Sequence, residues 1–303
     1  MEQHTKEKLE GTWGEKEIIA SRAKRGKGTS APTPEELGLY ELFFKKAIKN
    51  KKKTKTLVLG GTPELRDLAI KYNSETIAVD ISPRLLLALT NVMQHKEDFN
   101  NKYMIGDWLE LYYFLKKHSF DVILADLSLN NVPYNLYNKM FRIINYLLKK
   151  EGYFITRHLV YSNFNQNKSK ESIVDEFNKG KNSCLGLLLE LGMYTEIRKK
   201  AFNPKTKEMD WSYLYKDYNK YLIKHIKKEE LPFFENMMMH AKSNKSIILL
   251  PEEFSKIAKR QFIVENISTV KEIGHSKLAP VYSFRAKRKF FSNFFLKLKT
   301  LSY

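Results

Sequence analysis

The feature that most constrains this chain is a set of four short apolar runs, each ending in a glycine or a carboxylate: Thr56 to Gly61, Ile77 to Asp80, Met104 to Asp107 and Phe120 to Asp126. Compact runs without apolar/polar alternation are the pattern of strands buried on both faces, which belong to parallel sheets covered by helices. The runs recur at roughly twenty to thirty residues with helical stretches between them, the rhythm of successive βα units. In open sheets of this kind, ligands bind outside the carboxyl ends of the strands. Three runs place an aspartate there, Asp80, Asp107 and Asp126, and the first places Gly60 and Gly61. An α/β fold with a nucleotide-type binding site is therefore predicted.

The remaining composition bounds the environment. A chain of 303 residues with 43% hydrophobic content has ample material for a large core. Cys184 is the only cysteine, which excludes an intrachain disulfide and any metal cluster built from thiols, so no metal site is expected. Met1 to Glu10 carries no apolar signal core, and no stretch reaches the about eighteen apolar residues of a membrane span. A soluble, cytoplasmic protein is expected. The net charge of +19 raises the question of nucleic acid or anionic lipid, but the excess is mostly lysine and is spread over both halves of the chain. It reads more as a compositional habit than as a binding surface.

Along the chain, residues 1–33 form a polar, basic arm in which Trp13, with Arg22 and Arg25, is a candidate to fold over a binding cleft. Thr33-Pro34-Glu35-Glu36 is a complete capping box, so a helix should run from about Pro34 to Asn50. The same start signal follows the first two strands, at Thr62-Pro63-Glu64 and Ser82-Pro83. Helices beginning at once after a strand point their free N–H groups at the space above the sheet, which suits an anionic ligand group. Further helices are expected over about 83–95, 108–117 and 134–149, a fifth strand over 151–156, and a crossover helix over 170–191. Residues 34–201 are read as the core. The aromatic-rich stretch 202–260 then breaks the α/β rhythm and reads as a helical insertion or lid. Closing strands are expected within 261–286, and 287–303 is a basic aromatic tail, the most membrane-like stretch present.

With the glycine loop and the spacing of the three aspartates in hand, the chain resembles the class I methyltransferases that use S-adenosylmethionine, over about residues 34–160 and the final strands. The resemblance implies a Rossmann-like, mostly parallel seven-stranded sheet flanked by helices, with the insertion after strand five. It implies that Gly60, Gly61, Thr62 and Pro63 meet the methionine part of the cofactor and that Asp80 takes the ribose hydroxyls. It further implies that Asp107 meets the adenine amino group, that Ile81 or Trp108 covers the ring, and that Asp126 lies near the methyl group or the cofactor amine. The loop departs from the family's three alternating glycines, reading Leu59-Gly60-Gly61-Thr62-Pro63-Glu64, and it lacks the G-x-G-x-x-G of a dinucleotide-binding dehydrogenase. Each residue also has a plainer role: Gly60 and Gly61 as turn glycines, Asp80 and Asp107 as helix caps, Trp108 as core.

Methyl transfer from a sulfonium depends chiefly on holding donor and nucleophile in line, so no dedicated base is required. Asp126, Ser128, Asn130 and His158 lie where loops after strands four and five would reach a methyl group. Asp126 and His158 are the candidate bases, although a lone histidine is more often structural. The stretch after Asp126, Leu127-Ser128-Leu129-Asn130-Asn131-Val132-Pro133-Tyr134, lacks the Asn/Asp-Pro-Pro-aromatic motif of amino-methylating nucleic-acid enzymes. A small-molecule acceptor is expected first and RNA or DNA second, with a non-catalytic binding or scaffold protein of the same fold as the remaining alternative. Oligomeric state is not legible.

Overall fold

The computed structural model describes residues 30–161, 167–271 and 274–287. The arm through residue 29 and the tail from residue 288, with Trp13, Arg22 and Arg25, lie outside the described residues. A seven-stranded sheet runs in the order β3-β2-β1-β4-β5-β10-β9, built from β1 (Thr54–Leu59), β2 (Ser74–Asp80), β3 (Asn101–Ile105), β4 (Phe120–Asp126), β5 (Leu148–Arg157), β9 (Phe262–Ser268) and β10 (Val281–Ala286). Strands β1 to β5 pair in parallel, and β10 is antiparallel to both its neighbours. The four predicted runs fall on β1 to β4, but the third is not buried on both faces as expected: β3 is the edge strand, and its Tyr103 and Ile105 are exposed. Leu57, Val58, Leu59, Val122, Ile123 and Leu124 are wholly inaccessible, as expected for strands covered on both faces.

Helices α1 (Pro34–Ile48), α2 (Pro63–Lys71), α3 (Pro83–Asn91) and α4 (Tyr137–Leu147) cover the sheet. In α1 both capping-box bonds form: Glu36 N–H donates to Thr33 Oγ1 at 3.2 Å, and Thr33 N–H to the Glu36 carboxylate at 2.9 Å. Its Tyr40, Phe43 and Phe44 pack on one side of the sheet, each worth roughly 1.5–3 kcal/mol of burial. On the other side α4 supplies Met140, Phe141 and Ile144, joined by Phe254 of a later helix, α9 (Pro251–Ala258). The helix expected over 108–117 shrinks to a helical turn at Trp108–Glu110 and a short Leu111–Phe114 segment.

Beyond β5 the structure departs from the expected single crossover helix. Two helices, α5 (Lys170–Asn178) and α6 (Cys184–Tyr194), replace it. The break has local causes: Gly180 takes φ +73°, and Ser183 caps α6 by accepting from Gly186 N–H at 3.0 Å. Residues 202–247 contain α7 (Ser212–His225) and α8 (Leu231–Ala241), and also a small antiparallel sheet of β6 (Phe202–Asn203), β7 (Glu208–Asp210) and β8 (Lys245–Ile247). Strands of two or three residues carry too little pattern to be seen in the sequence. These elements form a second hydrophobic cluster with α6, centred on Leu187, Leu191, Leu222 and Phe234. Among the described residues, no helix is long and apolar enough to cross a membrane.

Candidate active site

The carboxyl ends of β1, β2 and β4 are tied to one another before any ligand is considered. Gly60 N–H donates to the Val79 carbonyl at 2.8 Å, and the Trp108 indole N–H donates to the same oxygen at 2.7 Å. The Ser128 hydroxyl donates to the Leu59 carbonyl at 2.6 Å, fastening the loop after β4 to the turn after β1. Leu127 makes that loop possible by adopting φ +55°, an unfavourable conformation for a branched side chain and a local store of strain. Gly60 takes φ +99°, and a Cβ there would meet Ser128 Oγ at 3.4 Å, Trp108 Cζ2 at 3.8 Å and Asp80 Oδ2 at 3.9 Å. These are ordinary contacts, so the glycine is required by its backbone conformation. Asp80 is buried, with Oδ1 accepting from Ser82 N–H at 2.9 Å, while Ser82 caps α3.

A cavity open on one side lies above these strand ends. One end is lined by Gly60, Gly61, Thr62, Pro63, Asp80 and Trp108, all singled out in the sequence. Asp126, Ser128 and Asn130 lie along its floor, and the far end is made by Leu159, Leu188, Trp211, Met237, Asn244 and Ser246. The N-termini of α2 and α3 flank the first end, so their positive dipole ends face it. Ile81 and Asp107 do not line the cavity. Asp107 instead accepts from Leu109 N–H at 2.9 Å, capping the turn that carries Trp108.

His158 is also outside the cavity. It lies fully buried, its ring stacked on Phe254 with centroids 4.0 Å apart and met edge-on by Tyr137 at 5.9 Å. Both ring nitrogens lack a hydrogen-bond partner, and burial holds the imidazole down to about 3 from its ordinary 6.5.

Asp126 lines the cavity but is committed to an ion pair that the sequence did not reveal. Arg157, at the end of β5 and fully buried, grips it with Nε to Oδ1 at 2.7 Å and Nη2 to Oδ2 at 3.1 Å. The third guanidinium nitrogen donates to Glu36 Oε2 at 2.5 Å, and Glu36 Oε1 faces His275 Nε2 at 3.4 Å. Tyr40 completes the group, its hydroxyl donating to the Ala125 carbonyl and accepting from Arg157 N–H, each at 2.7 Å. Burial pushes the Glu36 carboxyl up, but Arg157 and His275 overcome this and hold it at about 2. For Asp126, burial prevails over its two Arg157 bonds and shifts it upward. For Arg157, the two carboxylates outweigh burial and keep the guanidinium charged. The only sequence signal for this cluster was a charged residue, Arg157, closing an apolar strand. Its partners lie at residues 36, 126 and 275, and nothing local connects them.

A protein-family model described as a methyltransferase domain matches residues 61–217, just over half of the chain. No curated protein matches the chain by sequence. Among solved structures, the chain is similar to one from Rhodobacter sphaeroides described as a Zn-dependent alcohol dehydrogenase, at 14% identity over 95% of this chain and 100% of that one, with a TM-score of 0.56. The N-methyltransferase NodS from Bradyrhizobium japonicum WM9, in complex with S-adenosyl-l-homocysteine, is 9% identical over 94% of this chain and 100% of that one, with a TM-score of 0.48. The PH0226 protein from Pyrococcus horikoshii OT3 is 16% identical over 84% and 92%, with a TM-score of 0.49. At such identities the first of these likenesses speaks for the fold alone, and the other two carry no argument. Family model and sheet topology together identify the chain: it belongs to the methyltransferase-domain family, as an S-adenosylmethionine-dependent methyltransferase of the class I, seven-stranded fold.

Proposed function

We propose that the cavity holds S-adenosylmethionine at its Gly60 end and a small-molecule methyl acceptor at its far end, and that the protein methylates that small molecule. The observation that carries this reading is the continuity of one cavity from the Gly60 turn and Asp80 to the apolar wall around Trp211. The residues present suit the cofactor. A carboxylate such as Asp80 accepts two hydrogen bonds from a ribose diol, and Trp108, pinned to Val79, offers an aromatic face for adenine. The Gly60 turn and the start of α2 suit a carboxylate, while Glu64 and Asp80 favour the positive ammonium and sulfonium groups.

Bound there, the cofactor supplies an electrophilic methyl carbon. The chain's part is orientation and exclusion of water. Asp107 acts through Trp108 by capping its turn, and Ser128 fixes the floor against the Gly60 turn. Asp126 is assigned to positioning, since both its oxygens serve Arg157, and His158 is assigned to the core. Calorimetric titration with S-adenosylmethionine and S-adenosylhomocysteine tests the reading. Both should bind the wild type, and Asp80→Ala should weaken binding by at least about tenfold, the worth of one charge-assisted hydrogen bond. Failure of either ligand to bind the wild type, or equal binding by Asp80→Ala, would sink it.

A further inference from the structure

Lysines that the sequence spreads over both halves are gathered by the fold at one end of the sheet. Strands β1, β4 and β5 lie side by side and parallel, with Thr56 beside Val122 and Phe120 beside Leu148, so their starts form the end opposite the cavity. There Lys51-Lys52-Lys53 leads into β1, Lys116-Lys117-His118 leads into β4, and Lys149-Lys150 stands at the start of β5. Contacts join the three segments: Asp121 takes Lys51 at 3.2 Å and Lys149 at 2.7 Å, and the Lys117 ammonium lies 5.8 Å from the centre of the Tyr146 ring. Glu151, beside Lys150, is paired with Arg285. Lys52, Lys53, Lys116 and Lys150 are exposed and, among the described residues, have no carboxylate partner. Exposed Tyr113 and Phe114 come just before Lys116. Towards β3 the charge turns mixed: Glu75 is shared by Lys55 and Lys102, and Glu97 and Asp98 precede an exposed Phe99.

A second observation falls on the same end. Strand β10 runs antiparallel to β5, pairing Arg285 with Tyr153, so the chain returns to the lysine end as it leaves the sheet. Lys287 is fixed there, its N–H donating to the Gln261 carbonyl at 3.0 Å and its own carbonyl accepting from Asn145 Nδ2 at 3.3 Å. Residues 288–303, outside the described structure, contain Arg288, Lys289, Lys297 and Lys299 and no Asp or Glu. Their Phe290, Phe291, Phe294, Phe295, Leu298 and Leu301 recur at helical spacing, so a helix would gather them on one face, opposite Ser292, Asn293 and Thr300. Of the Phe and Leu residues there, only Leu296 falls elsewhere.

We infer that the lysine end of the sheet, together with residues 288–303, docks the protein on an anionic lipid bilayer, the lysines meeting the headgroups and the apolar stripe entering the interface. One amphipathic segment binds a bilayer only marginally, and stable attachment takes a second signal such as a polybasic patch. Here both signals issue from one end of the fold. Lysines and aromatic rings would also serve a single-stranded nucleic acid, but leucines on the stripe stack on no base, whereas a bilayer takes the whole stripe. With the protein docked in this way, the cavity mouth lies at the far end of strands about 20 Å long and faces solution. The inference is independent of what the cavity binds.

The test is co-sedimentation of the 303-residue protein with vesicles of phosphatidylcholine containing about 30% phosphatidylserine, compared with vesicles of phosphatidylcholine alone. The protein should sediment with the anionic vesicles, bind the neutral ones at least about tenfold more weakly, and lose affinity as salt is added. A lysine near an anionic surface contributes roughly fivefold, so the triple variant Lys52→Ala, Lys53→Ala, Lys150→Ala should bind at least about tenfold more weakly than wild type. The double variant Phe291→Ser, Phe295→Ser should lose at least about tenfold through the apolar signal. Both variants should keep the wild-type circular dichroism, which reports that they are folded. No sedimentation with the anionic vesicles, equal sedimentation with the neutral ones, or undiminished binding by either folded variant would overturn the inference. Binding of poly(U) RNA without binding of the anionic vesicles would assign the same lysines to nucleic acid and overturn it too. Titration with S-adenosylhomocysteine reports on the cavity separately, so failure of one reading is visible without the other.

Discussion

Replacing Arg157 by methionine should be among the most damaging single changes in the protein, and the size of the loss follows from its surroundings. The substitution removes two hydrogen bonds to Asp126, one to Glu36 and one to the Ser30 carbonyl, leaving two buried carboxylates whose remaining partners are Thr33 N–H and His275 at Glu36 and the Tyr40 hydroxyl at Asp126. Breaking a buried ion pair from one side costs roughly 3–5 kcal/mol, because the stranded charge keeps its desolvation penalty. A second route gives a similar figure. Holding Glu36 at about 2 rather than 4.5, to which Arg157 contributes together with His275 and Thr33, corresponds to about 3 kcal/mol at neutral pH. Guanidinium denaturation followed by circular dichroism at pH 7 should therefore show Arg157→Met less stable by about 3–5 kcal/mol. Arg157→Lys, which keeps the charge but not the planar fork, should fall between. Adding Glu36→Gln and Asp126→Asn to Arg157→Met should recover part of the loss, since no charge is then stranded.

The pH dependence has a definite sign. The folded pKa of Glu36 lies below its ordinary value, so its contribution is present above about pH 4.5 and is lost as pH falls from there through about 2. Asp126, shifted upward, works in the opposite sense and reduces the net effect. The gap between wild type and Arg157→Met should consequently narrow between pH 7 and pH 3. A loss below about 1 kcal/mol at pH 7, the range of a surface pair, would refute this reasoning, as would a triple variant no more stable than Arg157→Met.

Other expectations follow from the same geometry. His158 is neutral in the fold, so the unfolded chain takes up a proton that the folded chain refuses between pH 6.5 and about 3; stability should fall by about 2 kcal/mol from pH 6.5 to 5, and His158→Leu should remove that slope in denaturation curves at the two pH values. Gly60→Ala forces a side chain into φ +99° and should cost roughly 1–2 kcal/mol while weakening cofactor binding, both readable from melting curves with and without S-adenosylhomocysteine. Gly192→Ala places a methyl group against the Trp211 ring and should cost about 1–3 kcal/mol through overpacking, with cofactor affinity unchanged by calorimetry.

The sheet was legible because it is written in local apolar runs, and α1, α2 and α3 because Thr33-Pro34, Thr62-Pro63 and Ser82-Pro83 mark their starts. The Gly60 turn, Asp80 and Trp108 followed, since parallel strands bring their carboxyl ends together. Asp107 showed its two possible uses in sequence, and it makes the cap to Leu109. The Glu36–Arg157–Asp126 cluster was not legible, because its members are linked only through tertiary packing. Gly180 and Ser183 did carry the stop and start signals that divide α5 from α6, within the polar stretch 178–183, but the βα rhythm called for one crossover helix there.

The most direct test is a crystal structure of the protein with S-adenosylhomocysteine. The ribose hydroxyls should lie within hydrogen-bond distance of the Asp80 carboxylate, with the adenine against Trp108 and the sulfur directed toward the floor between Asp126 and Asn130. A ligand bound away from Asp80 and the Gly60 turn, or a cavity still empty at saturating ligand, would contradict the account.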